Sequence, residues 1–170
     1  MDKNHKLLFH GAKSRIEGKL DIHKSRTNND LGQGFYTGER YEQAISFISG
    51  FEKSSVYIFD FKEEGLKGKK YNVNQEWMMT IAYYRGALEE YENHPIIKKL
   101  IEKSCDCDYI IAPIADNRMF QIINSFIMGE ITDEQCKHCL AATNLGYQYV
   151  FKSDKAIKSL KMLERCYISE

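Results

Sequence analysis

The most informative part of this sequence is Leu7-Leu8-Phe9-His10-Gly11 together with Asp30-Leu31-Gly32-Gln33-Gly34-Phe35-Tyr36-Thr37. The first stretch is an apolar run that ends in His-Gly, which predicts a strand that stops at a turn. The second is a glycine-spaced loop that runs into Phe-Tyr-Thr, and it predicts the start of another strand. Two strand ends therefore offer a histidine, an aromatic ring and glycine backbone that a ligand can approach closely. Such strand ends can form a cleft for a flat heterocycle and its ribose.

The composition is that of an ordinary globular protein. The chain has 170 residues, 43% of them hydrophobic and 28% charged, so we expect a single domain over residues 1–170 with a full core. Its 24 basic and 24 acidic residues cancel, and this balance lacks the excess positive charge typical of nucleic-acid binders. No apolar run is long enough to span a membrane, and no signal-peptide pattern follows Met1–Lys6. We therefore expect a cytoplasmic protein with no membrane partner.

Helix and strand patterns are mixed along the chain without the regular spacing of βαβ units. The periodicity of apolar residues predicts helices over 39–50, from Asn74 to Leu88, from Pro95 onward, over 119–127 and after Thr132. Strands are predicted at 56–61, 109–115 and 147–151, with a short strand or hairpin partner within 66–73. A terminal helix is predicted from apolar residues at helical spacing, namely Ala156, Ile157, Leu160 and Leu163. This mixture indicates the α+β class.

The five cysteines allow two interpretations. Cys105 and Cys107 form a C-x-C pair, and Cys136 and Cys139 form a C-x-x-C pair. Four thiolates in two close pairs are able to form a tetrahedral zinc site. C-x-C is not the usual chelating spacing, however, and the second pair falls within a predicted helix. Reduced thiols, some of them in the core, are the favoured interpretation, and no metal is expected.

The motifs resemble those of the ADP-ribosyltransferase superfamily, in particular its histidine-tyrosine-glutamate branch. His10 in Leu-Phe-His-Gly matches the first position of that triad, and Tyr36 in Gly-Phe-Tyr-Thr matches the second. The third position is a glutamate in the family, and here it holds Gln148 in Gln-Tyr-Val-Phe-Lys. Together with Ala-Asp-Asn-Arg-Met-Phe at 115–120, these motifs are similar to a bacterial protein family within that superfamily. They span residues 7 to about 160.

The resemblance implies both a fold and a chemistry. ADP-ribosyltransferase-like domains have a split antiparallel β core, in which two small sheets enclose a nicotinamide cleft and helices surround them. The implied substrate is NAD, and the implied reaction is transfer of ADP-ribose to a protein or nucleic-acid acceptor, as in bacterial toxins and effectors that have a cognate antitoxin. Cleavage of the nicotinamide–ribose bond generates an oxocarbenium-like cation. The site must therefore hold the nicotinamide, orient the ribose and stabilise positive charge.

The resemblance also implies a role for each motif residue. The His10 side chain hydrogen-bonds a ribose hydroxyl, the Gly11 backbone bonds the carboxamide, and Tyr36 stacks on the nicotinamide ring beside the loop of Gly34. The side chains of His10, Tyr36 and Gln148 are expected to line one cleft to which the Gly11 backbone is exposed. In the family, the glutamate bonds the ribose 2′-hydroxyl and supplies negative charge. Gln148 can form that hydrogen bond but carries no charge.

Two carboxylates are candidates for the missing charge, and both have a structural alternative. Asp30 opens the glycine loop and is equally suited to be a turn residue before Gly32. Asp116 is favoured as the N-cap of the helix that follows it, and Arg118 either faces a pyrophosphate or pairs with Asp116. A neutral residue at position 148 leaves two functions open: ADP-ribosyl transfer, and a non-catalytic relative that binds a nucleotide or a partner.

Overall fold

A computed structural model describes residues 5–168 and has the α+β architecture that the sequence predicts. Its strands are β1 (His5–Ala12), β2 (Phe35–Gly38), β3 (Ser55–Lys62), β4 (Gly68–Lys70), β5 (Tyr109–Pro113), β6 (Tyr147–Phe151) and β7 (Leu160–Tyr167). Its α-helices are α1 (Tyr41–Ile48), α2 (Gln75–Tyr84), α3 (Pro95–Cys105), α4 (Asn117–Ile127), α5 (Asp133–Ala141) and α6 (Asp154–Lys158). None of the helices in this range has the length and apolar character needed to cross a bilayer.

The strands form one sheet with the order β4-β5-β6-β2-β1-β3-β7. Neighbouring strands are antiparallel, except that β4 and β5 are parallel. The expectation of two small antiparallel sheets is therefore corrected to one mixed sheet. The parallel pair is possible because α2 and α3 lie in the chain between β4 and β5, and a parallel connection needs such a long crossover.

The sheet is narrowest between β1 and β2. Phe9 opposite Gly38 is the one residue pair that joins these two strands within residues 5–168, whereas eight pairs join β1 to β3. We call this junction the central seam. It divides the sheet into a half of four strands, β4-β5-β6-β2, and a half of three strands, β1-β3-β7.

Each face of the sheet has its own core. The helix-side core packs α2, α4 and α5 against β5 and β6, and its largest buried side chains include Trp77, Met78, Ile81, Ile110, Met119 and Ile123. The aromatic core lies on the opposite face and includes Leu8, Phe35, Tyr57, Phe59, Phe61, Tyr109, Tyr149 and Phe151. Helix α1 packs on β1 and β3 through Ala44, Ile48 and Val56.

Side-chain caps fix the start of three helices where the sequence predicts them. The side-chain oxygens of Asn74, Asp116 and Thr132 each accept a hydrogen bond from a backbone N–H three residues further on. Helix α2 ends at Tyr84 rather than near Leu88, because Gly86 adopts a positive φ of 90°, a conformation that terminates helices. Leu88 still reaches the helix-side core, but from outside the helix.

The prediction of a terminal helix is wrong. Helix α6 has only five residues, and the chain then forms the eight-residue strand β7. Strand β7 pairs with β3 from Ser55–Tyr167 to Phe61–Leu160, with a bulge at Ile58/Phe59. Without β7, β3 would be an exposed edge with unpaired backbone groups. This long-range pairing outweighs the local helical spacing of Leu160 and Leu163.

Candidate functional site

The central seam brings the His-Gly and Gly-Phe-Tyr motifs together. Beyond the pair Phe9–Gly38, a regular ladder would continue with His10 opposite Thr37 and Gly11 opposite Tyr36. No such pairs are formed. Instead, the imidazole Nδ1 of His10 lies 2.6 Å from the main-chain oxygen of Tyr36. Because a carbonyl oxygen only accepts, Nδ1 carries the proton, and Nε2 of the neutral ring is left as an acceptor.

The surroundings of His10 keep its ring neutral. The imidazole is half-buried and stacks on Phe35, with ring centroids 4.3 Å apart and planes inclined by 29°. Burial lowers the pKa of His10, while the hydrogen bond to Tyr36 opposes that shift in part. At neutral pH the ring is therefore an uncharged hydrogen-bonding group, suited to a hydroxyl rather than to a phosphate.

The hydroxyl of Tyr36 forms hydrogen bonds with the backbone of the glycine loop that precedes it. This hydroxyl donates to the carbonyl of Gly32 at 2.6 Å and accepts from the N–H of Leu31 at 3.1 Å. Burial raises the pKa of Tyr36 far above the usual range, so the phenol stays protonated. Gly34 is required by close packing, since a Cβ there would lie 2.7 Å from Val150 and 2.8 Å from the carbonyl of Phe151.

Gln148 lies in β6, opposite Gly38 of β2. Its side chain is buried, with 8% of the residue's surface exposed, and its Nε2 donates to the carbonyl of Pro113 at 3.3 Å. The amide thus joins the ends of β5 and β6. A carboxylate could not donate this hydrogen bond at neutral pH.

The three motif residues lie on adjacent strands, but their side chains do not share one face. His10 projects with Leu8 and Phe35 into the aromatic face. Tyr36 follows Phe35, and Gln148 precedes Tyr149, and both of these aromatic residues belong to the aromatic core. Because neighbouring side chains of a strand point to opposite faces, Tyr36 and Gln148 project towards the helix side. The expectation that all three side chains line one cleft is therefore wrong. The reason is register: Gly38 is paired with both Phe9 and Gln148, so Phe9 shares the face of Gln148. His10 is the next residue of β1 and projects to the opposite face.

Gly11 also differs from expectation, because its backbone is buried beneath α1 rather than exposed. A Cβ at this position would overlap the carbonyl oxygen of Ala44 and lie 2.9 Å from Cγ2 of Ile48. The glycine of the His-Gly motif is therefore required for the close approach of α1 to β1.

The comparison with family models covers almost the whole described fold. Residues 7–162 match the family described as protein of unknown function DUF3990. The chain belongs to the DUF3990 family. The matched range begins in β1, ends in β7 and includes the central seam. No curated protein and no solved structure matches the chain.

In this DUF3990 protein, Asp30 forms an ion pair that the sequence did not reveal. Its Oδ1 lies 2.6 Å from both Nε and Nη2 of Arg85, and the two side chains are only 15% and 18% exposed. Nη2 of Arg85 also donates to the carbonyl of Ala115 at 2.8 Å, and its guanidinium lies 4.8 Å from the ring centroid of Phe120. Arg85 thereby ties the glycine loop to the turn between β5 and α4.

The other predicted polar residues of the DUF3990 protein have simpler surroundings. Asp116 caps α4 by accepting from the N–H of Met119 at 2.8 Å, as its structural alternative predicted. Arg118 is exposed, and the ion pairs of residues 5–168 do not join it to Asp116. A role for either residue towards NAD stays a prediction.

One carboxylate that the sequence reasoning missed lies beside the candidate site. Glu39 follows Gly38, the residue paired with Gln148. Its Oε1 accepts from the N–H of Tyr147 at 3.2 Å, and its Oε2 lies 3.3 Å from Nζ of Lys6. Glycine and glutamate at a strand end are common, so no local signal distinguishes Glu39 in the sequence.

The cysteines do not gather into a metal site in the described part of the chain. Within residues 5–168 no group of three or more His, Cys, Asp or Glu side chains is arranged to hold a metal ion. Cys136 is buried, with its Sγ 3.2 Å from the sulfur of Met78. Cys105 and Cys139 are exposed, and Cys107 is half-buried.

Proposed function

We propose that this protein binds NAD at the central seam and transfers ADP-ribose to a macromolecular acceptor. The observation that supports the proposal best is the seam itself. The sheet is almost divided into halves of four and three strands where β1 carries His10 and Gly11 and β2 carries Tyr36. This division has the character of the split core expected of an ADP-ribosyltransferase-like fold. The order of the motifs along the chain agrees with that interpretation.

The chemistry proposed at the seam follows from the state of each residue. The bound dinucleotide lies where β1 and β2 part, because His10 and Tyr36 come from these two strands and meet at this point. Nε2 of the neutral His10 accepts a hydrogen bond from a ribose hydroxyl, and the ring of Tyr36 packs on the nicotinamide. The glycosidic bond between ribose and nicotinamide breaks, nicotinamide leaves, and an acceptor oxygen or nitrogen bonds to the ribose carbon and loses its proton.

A catalytic site at the central seam would need a negative charge near the ribose. A developing ribosyl cation is stabilised by a nearby carboxylate, yet Gln148 is neutral, Asp30 is paired with Arg85, and Asp116 caps a helix. These contacts favour the second candidate, a non-catalytic relative that uses the same seam to bind a nucleotide or a partner. Glu39 accepts from the N–H of Tyr147 and pairs with Lys6, but this pair is more exposed to solvent than the pair of Asp30 with Arg85. Glu39 is therefore the carboxylate best placed to supply charge.

Two measurements on the same samples distinguish the candidates. Calorimetry measures NAD binding, and chromatography measures nicotinamide release in the presence of several protein and RNA acceptors. Binding with release supports ADP-ribosyl transfer, and binding without release supports the non-catalytic relative. Absence of NAD binding by the folded wild type overturns ADP-ribosyl transfer and NAD binding by a non-catalytic relative.

The variants Tyr36→Ala and Tyr36→Phe distinguish the ring contact with nicotinamide from the hydrogen bonds of the Tyr36 hydroxyl to the glycine loop. Alanine should weaken NAD binding by about 1 kcal/mol or more through lost ring contact, whereas phenylalanine keeps the ring and removes only the bonds to Gly32 and Leu31. Tyr91→Ala is the matched control, because Tyr91 is 50% exposed and does not lie in the seam. Unchanged affinity of a folded Tyr36→Ala variant removes Tyr36 from the site.

A further inference from the structure

The C-terminal end of α3 holds two thiols in a tight turn. Cys105 is the last residue of the helix, and Asp106 after it has φ −84° and ψ 51°. These angles are close to those of the middle residue of an inverse γ-turn, which brings the residues on either side of it together. Cys105 and Cys107 line the same surface depression, together with Lys67, Asp106 and Asp108. The depression opens to solvent because Cys105 is exposed.

We propose that Cys105 and Cys107 are a redox-active dithiol that closes to an intramolecular disulfide. Bridging requires close Cα atoms and converging Cβ atoms, and a single intervening residue in a turn conformation meets the first requirement. The oxidant is a low-molecular-weight disulfide such as oxidised glutathione. The Cys105 thiolate attacks one of its sulfurs and releases one glutathione thiolate. The Cys107 thiolate then displaces the second glutathione, so two protein thiols are oxidised and one disulfide is reduced to two thiols.

The two thiols are suited to different steps of this exchange. Exposed Cys105 is accessible to a soluble disulfide, whereas Cys107 is half-buried and its Sγ donates to the carbonyl of Ser104 at 3.4 Å. Burial raises the pKa of Cys107 to about 11, and the positive charge of Lys152 acts against that shift. Cys105 is therefore the attacking thiol, and Cys107 resolves the mixed disulfide.

Closure of the disulfide removes contacts that support the glycine loop. The hydroxyl of Tyr84 lies 2.5 Å from Oγ of Ser104 and 3.8 Å from Sγ of Cys105. The ring of Tyr84 packs under Gly32, where a Cβ would lie 2.7 Å from its Cε1. A disulfide has no S–H, so the Cys107 sulfur can no longer donate to the Ser104 carbonyl and the Cys105 sulfur can no longer donate to the Tyr84 hydroxyl. The oxidised protein is therefore expected to hold Tyr84, and with it the loop around Gly32, less firmly.

The half-buried side chain of Lys152 contacts both the glycine loop and Tyr84. Its Nζ donates to the carbonyl of Leu31 at 2.7 Å and lies 5.8 Å from the ring centroid of Tyr84. Burial lowers the pKa of Lys152, and the neighbouring Cys105 and Cys107 act in the opposite direction. The dithiol and the glycine loop thus share two neighbours, Tyr84 and Lys152, although Cys105 and Gly34 lie 71 positions apart in a chain of 170 residues.

The test places the full chain in glutathione buffers of increasing oxidised fraction. Mass spectrometry after alkylation and proteolysis identifies a peptide that has lost two hydrogens at Cys105 and Cys107. Hydrogen exchange of residues 29–36 is measured on the same samples. The variants are Cys105→Ser and Cys107→Ser, and the control is Cys139→Ser, which removes another exposed thiol.

We expect the wild type and Cys139→Ser to form the bridge and to exchange residues 29–36 several-fold faster when oxidised. Cys105→Ser should form no bridge, and Cys107→Ser should stop at the mixed disulfide on Cys105, because it lacks the resolving thiol. Stable glutathione adducts without a bridge in the wild type overturn the dithiol. A bridge that leaves exchange of residues 29–36 unchanged overturns the connection to the loop. Neither readout involves NAD, so the result is independent of the proposed function.

Discussion

The imidazole Nδ1 of His10 lies 2.6 Å from the main-chain oxygen of Tyr36. This hydrogen bond joins β1 to β2 at the narrowest point of the sheet. Only the pair Phe9–Gly38 otherwise joins β1 to β2 within residues 5–168. The residue proposed to contact a ribose is therefore also one that holds the two half-sheets together. Loss of activity in a His10 variant cannot by itself prove a role in binding, and the structural contribution has to be measured first.

The first prediction compares two substitutions at His10. His10→Ala leaves the Tyr36 carbonyl without its donor and removes the stacking on Phe35, which we expect to destabilise the fold by about 1–3 kcal/mol. His10→Asn places an amide N–H near the position of Nδ1 and should recover a substantial part of that loss. Urea unfolding measures both. Equal destabilisation by the two variants would show that the hydrogen bond contributes little.

The second prediction concerns pH. Burial lowers the pKa of His10 below the ordinary value for histidine, so the unfolded chain takes up a proton at a higher pH than the folded one. The contribution of neutral His10 to stability is complete above the unfolded pKa and decreases as the pH falls through the folded pKa. Wild type should therefore lose more stability than His10→Asn between about pH 7 and pH 5. His138→Asn, at an exposed position of α5, is the control and should follow the wild type.

Local sequence signals were sufficient for most elements of this fold. Asn74, Asp116 and Thr132 mark helix starts because each oxygen accepts a backbone N–H within its own turn, which is a purely local interaction. Strand β5 ends at Pro113, two residues before the predicted end at 115, because proline has no N–H to donate to a strand ladder. Strand β7 was not predictable in this way, because Leu160–Tyr167 is a strand only by pairing with β3.

The sequence was sufficient to predict that the motif residues lie on strands, but not which face of the sheet each side chain takes. The motifs of His10, Tyr36 and Gln148 lie on the adjacent strands β1, β2 and β6. Which face each side chain takes depends on the register of Phe9 with Gly38, and no local pattern encodes that register. The ion pair of Asp30 with Arg85 was missed for a related reason, since only the folded chain brings α2 to the glycine loop.

The third prediction tests why Gly11 is a glycine. Gly11→Ala would place a methyl group against the Ala44 carbonyl and Ile48 of α1, and overpacking of this kind costs about 1–3 kcal/mol. Gly50→Ala is the comparison, because Gly50 has a φ of 87° but open space around it, so its cost should be about 1 kcal/mol. Thermal unfolding ranks the two variants. A Gly11→Ala protein as stable as the wild type would contradict the close packing of α1 on β1.

The fourth prediction concerns the coupling between Asp30 and Arg85. The ion pair is largely shielded from solvent, so Asp30→Asn and Arg85→Met should show a coupling energy of about 0.5–3 kcal/mol in a double-mutant cycle. Thr132→Ala should cost about 1 kcal/mol through loss of the cap of α5 and should add to Asp30→Asn without coupling, because Thr132 shares no partner with that pair. Urea unfolding of the single and double variants provides the values. Additivity of Asp30→Asn and Arg85→Met would show that the pair is not formed in solution.

The last prediction concerns Gln148, where stability and activity are expected to change in opposite directions. Gln148→Glu replaces the Nε2 donor by an oxygen that faces the Pro113 carbonyl. Loss of the donor at this buried site should cost about 1–3 kcal/mol at neutral pH. Burial also favours the protonated carboxyl, which can donate to that carbonyl, so the cost should be smaller at acidic pH.

The same carboxylate, once ionised, would stabilise positive charge on the ribose if the seam is the NAD site. We therefore expect Gln148→Glu to release more nicotinamide than the wild type at matched folded fraction, with the excess growing as the pH rises and the carboxyl ionises. Gln148→Met, of similar size but without charge, should show no gain, and Asp30→Ala and Asp116→Ala report whether either carboxylate already contributes. A Gln148→Glu protein that is folded, binds NAD and releases no nicotinamide at any pH would favour the non-catalytic relative, because charge would then not be what the site lacks.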